Sequence, residues 1–282
     1  MTKRAKQWLF YSAVAVFLLL SYIIVLYAQG YKYSFSEGKF LRTGAISLKV
    51  NTDAKVFLND ELEGGTSFFN RSFSVDRLLP GTYRLSVQKD NFSPWQKTIT
   101  VEEGFVSDFS RIILLPEEGE EEKELFNEVD TLFKKIEPFP TLQPTPIPRT
   151  KISPSPTPEI KDSYILDVKN KILLQNIDQR LEKIADNVVG FRLSENKNKI
   201  TWWTSNELWV IWLNNTDYQP FYKKGDKELI TRFSIQIQNG SWFRGEDHLV
   251  LELERLDSRN RPYSIYQVVE IDKRGGVNIV EL

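Results

Sequence analysis

The chain has 282 residues, 41% of them hydrophobic and 27% charged, with a formal net charge of −1. That length permits more than one domain, and the balanced charge offers no excess of cations to a nucleic-acid partner. With no cysteine and one histidine, His248, the composition excludes thiol nucleophiles, disulfides, cysteine metal sites and multi-histidine metal sites.

Residues 1–31 read as a cytoplasmic tail and a transmembrane helix. No residue from Gln7 to Tyr31 is charged, and Trp8 to Ala28 is almost wholly apolar. At about 1.5 Å per residue, some 20 residues cross a hydrocarbon core of about 30 Å, and in lipid the backbone must satisfy itself as a helix. Trp8 and Tyr11 at one end and Tyr27, Tyr31 and Tyr33 at the other suit the interfacial aromatic belt. A cleaved signal peptide is the competing reading. Its apolar core is usually only about 7–15 residues long, and Leu26-Tyr27-Ala28 makes a poor cleavage site. Lys3, Arg4 and Lys6 precede the helix, so the positive-inside rule keeps the tail in the cytoplasm and sends the body across. Lys32, Lys39 and Arg42 weaken that bias. The expected localisation is the cell membrane, single-pass, with lipid as the anchor's partner.

Residues 32–43 are expected to form a juxtamembrane spacer, and 44–116 a small all-β unit. Ile46, Leu48 and Val50 alternate with Ser47 and Lys49 as in a half-buried strand. Lys55–Leu58 is a second strand, and 59–65 supplies turn chemistry. Leu79-Pro80-Gly81-Thr82 is a turn into a third strand carrying Tyr83, Leu85 and Val87. Trp95–Val101 and Val106–Leu115 complete a five-strand β-sandwich.

These residues resemble the PEGA domain family. The match runs through Gly44-Ala45-Ile46, then 53–59 and Gly65-Thr66. It continues through Leu79-Pro80-Gly81-Thr82-Tyr83 and on to Val87, Asn91-Phe92-Ser93-Pro94-Trp95, and 97–101. The chain has Asn51-Thr52-Asp53-Ala54 where the family has Pro-Glu-Gly-Ala, and Ser67 rather than proline after Thr66. The resemblance covers about a quarter of the chain. It implies a surface or envelope β-module without catalytic residues.

Residues 117–137 hold an acidic run, Glu117 to Glu124, and an amphipathic helix with Leu125, Val129, Leu132, Phe133 and Ile136 at helical spacing. Its apolar stripe packs on a neighbour or docks a partner. The run itself lacks the spaced loop of a calcium site and reads as solvated charge. Residues 138–160 are a proline-rich linker, a semi-rigid spacer and a domain boundary.

Residues 161–282 are strand-rich. A hairpin, Tyr164–Val168 and Lys171–Gln175, precedes four strands at 188–193, 199–203, 207–212 and 219–222. A second set follows at 232–243, 248–253, 263–271 and 277–280. Two consecutive four-strand units have the period of propeller blades. Leu193 to Ile200 resembles the Ser-Pro-Asp-Gly-Lys-x-Ile turn of TolB-type β-propellers, and 207–210 the strand after it. Two and a half blades cannot close a ring of at least four.

Trp202, Trp203, Trp209 and Trp212 are either core or a stacking platform for a glycan. His248 reads as a solvent-facing histidine at a strand end, or as the base of a hydrolase. Asn-x-Ser/Thr triplets at Asn70, Asn91, Asn214 and Asn239 matter only in a glycosylating route. No phosphate-binding loop is present, and no cofactor, metal or catalytic residue is expected. The expected fold is mainly β: a transmembrane helix, a PEGA-like β-sandwich, a proline-rich linker and an antiparallel domain of propeller-like blades. The expected function is a non-catalytic, extracytoplasmic binding or structural protein of the cell envelope, engaging a protein or cell-wall glycan. The alternative is self-association, with other copies completing the partial propeller; a hydrolase is the remote reading.

Overall fold

The computed structural model describes residues 3–67, 69–134, 163–177 and 180–282, so the proline-rich segment 138–160 lies outside the described residues. The protein is mainly β with an N-terminal apolar helix, and it divides into two compact units, Met1–Leu114 and Leu115–Leu282. The helix before the proline-rich segment therefore belongs with the sheets after it. The boundary between the units falls ahead of the acidic run.

In the first unit, helix α1 (Lys3–Ala28) buries none of its residues, and its mean hydropathy reaches 2.5 over an 18-residue window. It is long and apolar enough to span a membrane. The expected spacer is instead a hairpin of β1 (Tyr31–Ser34) and β2 (Lys39–Arg42). The alternation that would betray it is hidden, because each strand is only four residues long and basic residues fall on both faces.

The rest of the unit comprises β3 (Gly44–Val50), β4 (Lys55–Leu58), β5 (Glu61–Gly65), β6 (Ser72–Leu78), β7 (Gly81–Gln88), β8 (Trp95–Val101) and β9 (Val106–Ile112). They form two sheets, ordered β6-β3-β9 and β5-β4-β7-β8. One core lies between the sheets. Ile46, Leu48, Val75, Phe109 and Ile112 come from the first sheet, and Val56, Leu58, Leu85, Val87, Trp95 and Ile99 from the second. Burying each such side chain contributes about 1.5–3 kcal/mol, so the paired faces dominate the unit's stability. β5 and β6 add two strands to the five expected. β5 reads as a turn because it is an exposed edge strand with no buried residue to impose alternation. β3 and β9 pair in parallel, which brings the loop before β9 against the start of β3. There Gly44 is required: a Cβ would lie 2.5 Å from the Glu102 carbonyl oxygen and 2.9 Å from that of Phe105.

The second unit opens with α2 (Glu120–Lys134), whose first turn carries Glu120, Glu121 and Glu122 and whose last turn carries Lys134, in the sense the helix dipole favours. Three antiparallel sheets follow, each with its strands in chain order. The first is β10 (Ser163–Asp167), β11 (Ile172–Ile177) and β12 (Arg180–Ala185). The second is β13 (Gly190–Leu193), β14 (Lys199–Trp203), β15 (Glu207–Trp212) and β16 (Lys227–Arg232). The third is β17 (Gln236–Trp242), β18 (His248–Leu256), β19 (Pro262–Glu270) and β20 (Ile279–Glu281).

One core joins the first and second sheets through Leu166, Leu173, Phe191, Ile200, Trp202 and Ile211. A larger one joins the second and third through Trp203, Leu208, Val210, Ile237, Leu249, Leu251 and Val269. The strand expected at 219–222 is not formed. Pro220 has no N–H to give a ladder, and Tyr222 instead stacks on Trp212 at 3.6 Å between centroids. β16 supplies the fourth strand in its place. The strand expected at 232–243 begins only at Gln236.

Candidate functional site

The four tryptophans of the second sheet sit on adjacent strands, β14 and β15. Successive residues of a strand point to opposite faces, so Trp202 and Trp203 cannot share a surface. Trp202 faces the core toward the first sheet and stacks on Trp209, its cross-strand partner, at 5.8 Å and 9°. Trp203 and Trp212 face the core toward the third sheet. Trp202, Trp203 and Trp212 are buried, and only Trp209 is half-buried. As one stacking platform the set therefore fails. It is two pairs of core residues on the two faces of one sheet.

Trp209 also donates its indole N–H to Glu207 at 3.0 Å, and Arg232 donates to the other oxygen of that carboxylate at 2.8 Å. The Arg232 bond first, and the Trp209 bond second, hold the Glu207 carboxyl below its usual value of 4.5. On the opposite face, burial pushes the Tyr222 hydroxyl up to about 12. Neither residue is poised for proton transfer near neutral pH.

His248 is not the solvent-facing histidine the sequence suggests. It is 5% exposed, at the start of β18, a strand paired with β17 on one side and β19 on the other. Its cross-strand partner is Glu270, itself 5% exposed.

Next to it lies a group that sequence reasoning missed. The Lys199 side chain is 1% exposed and spans the second and third sheets, donating to the Glu246 carbonyl oxygen and to Asp247 Oδ1, both at 2.8 Å. Asn198 reaches Glu246 Oε2 at 3.2 Å. Ser194 Oγ accepts the backbone N–H groups of Asn198 and Lys199, closing the turn between β13 and β14. A buried ammonium needs such partners, so this network braces the junction between sheets. Arg192, half-buried nearby along the chain, is drawn down by burial to about 10, which leaves it protonated at neutral pH. Among the described residues, no group of three His, Cys, Asp or Glu is placed to hold a metal ion.

A concavity lies at the far face of the third sheet. Leu125 and Val129 of α2 are buried, and Tyr266 of β19 is gripped by Phe133, stacked at 5.3 Å, and by Phe126, edge-on at 5.6 Å. Arg244 clamps Glu128, with Nη2 to Oε2 at 2.6 Å and Nε to both oxygens at 3.2 Å. Beside this clamp lies a cleft of about 450 Å³, lined on the helix side by Glu124, Asn127, Thr131 and Leu132 and on the sheet side by Trp242 and Phe243. The helix is thus read correctly as amphipathic, and its neighbour is the third sheet. Nothing in the sequence pairs Glu128 with Arg244, which are far apart along the chain.

No family model matches this chain, and no curated protein matches it.

The Lys199 network makes a definite prediction. Lys199→Ala removes an ammonium that serves two acceptors and is expected to cost about 3–5 kcal/mol. Lys199→Met keeps the aliphatic stem and should recover part of that loss. Urea unfolding followed by tryptophan emission measures both; no loss for Lys199→Met would show that the ion pair contributes nothing beyond the packing of its stem.

Proposed function

We propose that this protein is a membrane-anchored, extracytoplasmic, non-catalytic binding protein of the cell envelope. The observation that carries the reading is α1: a span-length apolar helix with no buried residue. Among the described residues no protein neighbour buries that surface, and lipid is the medium that would cover it. The basic residues Lys3, Arg4 and Lys6 before the span favour a cytoplasmic N-terminus and an external body.

The first unit is read as a PEGA-like module. Its two-sheet core supports this, and so does the role its Pro-Gly-x-Tyr turn plays: the Tyr83 hydroxyl donates to the Leu79 carbonyl oxygen at 2.8 Å, pinning the turn to the strand it opens. The second unit is read as propeller-like. Its sheets meander in chain order, and the buried polar turn at Ser194 supports the likeness.

The candidate contact for a protein or glycan is the cleft beside α2, whose lining combines Trp242 with polar groups of α2. The chemistry-bearing side chains elsewhere are occupied in bracing sheets, which favours binding over catalysis.

Topology is the first test. With no native cysteine, Asp90→Cys in an exposed turn gives a single thiol. A membrane-impermeant maleimide is expected to label it on intact cells, and labelling only after lysis would put the body in the cytoplasm. With the body outside, the detergent-solubilised full chain is expected to co-sediment with purified cell-wall glycan. Arg244→Ala should weaken that binding several-fold, and unchanged sedimentation would remove the cleft from consideration.

A self-associating structural role is the second reading, and one asymmetry favours it. α2 covers the far face of the third sheet, while the far face of the first carries Ile165, Leu174 and Leu181, half-buried or exposed. One uncovered end favours a face-to-face dimer over an open chain of copies. Light scattering at micromolar concentration would then report a dimer, and a monomer would count against this reading.

A further inference from the structure

We propose that the end of the first unit nearest the span is itself a lipid-contacting surface, so that this unit rests on the bilayer rather than standing off on a tether. The inference builds on the anchored reading and adds a second membrane contact to it.

The argument starts from distance along α1. Trp8–Ala28 rises roughly 30 Å, the thickness of the hydrocarbon core, which puts Ala28 at its boundary; the polar layer beyond is only about 5–7 Å deep. Gly30, two residues on, turns the chain with φ +84°. Its carbonyl oxygen accepts both the backbone N–H and the hydroxyl of Thr43, each at 2.8 Å. The Thr43 carbonyl in turn accepts the N–H of Gly104 at 3.3 Å, and the Phe105 carbonyl accepts the N–H of Ala45 at 3.0 Å. A short relay of hydrogen bonds thus fixes the loop before β9 beside the residue where the chain leaves the membrane.

That loop presents Phe105 at 63% exposure and Val106 at 49%. The neighbouring hairpin of β1 and β2 presents an aromatic group: Tyr33 packs edge-on against Phe35 at 5.1 Å and Phe40 at 5.2 Å, and Phe35 is 92% exposed. Exposed apolar groups on the two segments that flank the exit of α1 mark a contact, and here the nearest apolar medium is the one α1 enters.

The charges at this end decide what kind of lipid it fits. Lys32, Lys39 and Arg42 are balanced by Glu37, Glu102 and Glu103. Lys39 pairs with Glu37 at 2.8 Å and also feels Glu103. The surface has no net charge to seek anionic headgroups. Aromatic and aliphatic insertion drives the contact, and zwitterionic lipid is sufficient.

The absence of cysteine makes the test direct. Single-cysteine variants of the full-length chain are labelled with an environment-sensitive fluorophore and reconstituted in phosphatidylcholine nanodiscs containing a headgroup-level nitroxide lipid. Glu103→Cys reports the proposed surface with its aromatic residues intact. Asp90→Cys reports the turn between β7 and β8 at the opposite end, since a seven-residue strand such as β3 puts roughly 23 Å between the ends. Leu19→Cys, with a nitroxide placed on the acyl chain, reports the span itself.

The label at 103 is expected to be quenched several-fold more than the label at 90, and Phe105→Asp in the Glu103→Cys background should abolish most of the difference. Equal, weak quenching at 103 and 90 with strong quenching at 19 would overturn the surface contact and leave the anchor standing. Weak quenching at 19 as well would overturn both.

Discussion

A β-sheet has two faces, and each needs either a partner or water. That constraint organises the second unit. Its middle sheet is covered on both sides, which is why β14 is buried at every position, and why it can hold tryptophans of opposite orientation at adjacent positions. The first and third sheets each lend one face to the middle one, leaving two terminal faces. Helix α2 takes one of them, using Leu125 and Val129 as its apolar seam and Tyr266 as the aromatic contact on the sheet. A helix can end a stack of sheets because its polar back leaves no further face to cover. Three sheets and a helix thus reach a bounded core without closing a ring.

The same constraint explains where the polar chemistry went. Lys199 lies on the face of β14 that meets the third sheet, among residues that would ordinarily be aliphatic. Its two acceptors come from the loop just before β18. A buried ion pair adds little net stability over an apolar substitute, since desolvation offsets most of the attraction. What it adds is directional: only one lateral alignment of the two sheets brings Glu246 and Asp247 within reach. His248 and Glu270, buried on neighbouring strands, alternate with Leu249 and Val269 of the junction core and so lie on the other face of the third sheet.

Much of this is legible in the sequence wherever a periodic signal coincides with burial. α1, α2, β3, β4, β8, β14 and β15 all follow from apolar spacing alone. β5 escapes because an exposed edge strand is under no pressure to alternate. The hairpin after α1 escapes because its strands are too short to establish a period. The burial of Lys199 and His248 is invisible for a different reason. A charged or imidazole side chain is read as exposed from its type, and only the assembly of the sheets around β14 and β18 reveals otherwise. The tryptophans mislead when grouped by proximity along the chain. Strand alternation at positions 202 and 203 is enough to separate them, so their division between two faces is written in the residue order itself. The clamp between Glu128 and Arg244 is not, because it depends on the chain returning to α2 after three sheets.

That return has a consequence for the integrity of the chain. Residues 135–162 join α2 to β10, two parts of one compact unit, so they close a loop rather than connect independent bodies. Loop closure costs only about 0.6 kcal/mol for each doubling of length, so the length of the covalent link is a minor part of what keeps α2 on its sheet. Its seam, its ring contacts with Tyr266 and the Arg244 clamp are the main part. A break anywhere in that segment would not divide the protein in two. The pieces would remain a non-covalent complex, with α2 still seated on the third sheet.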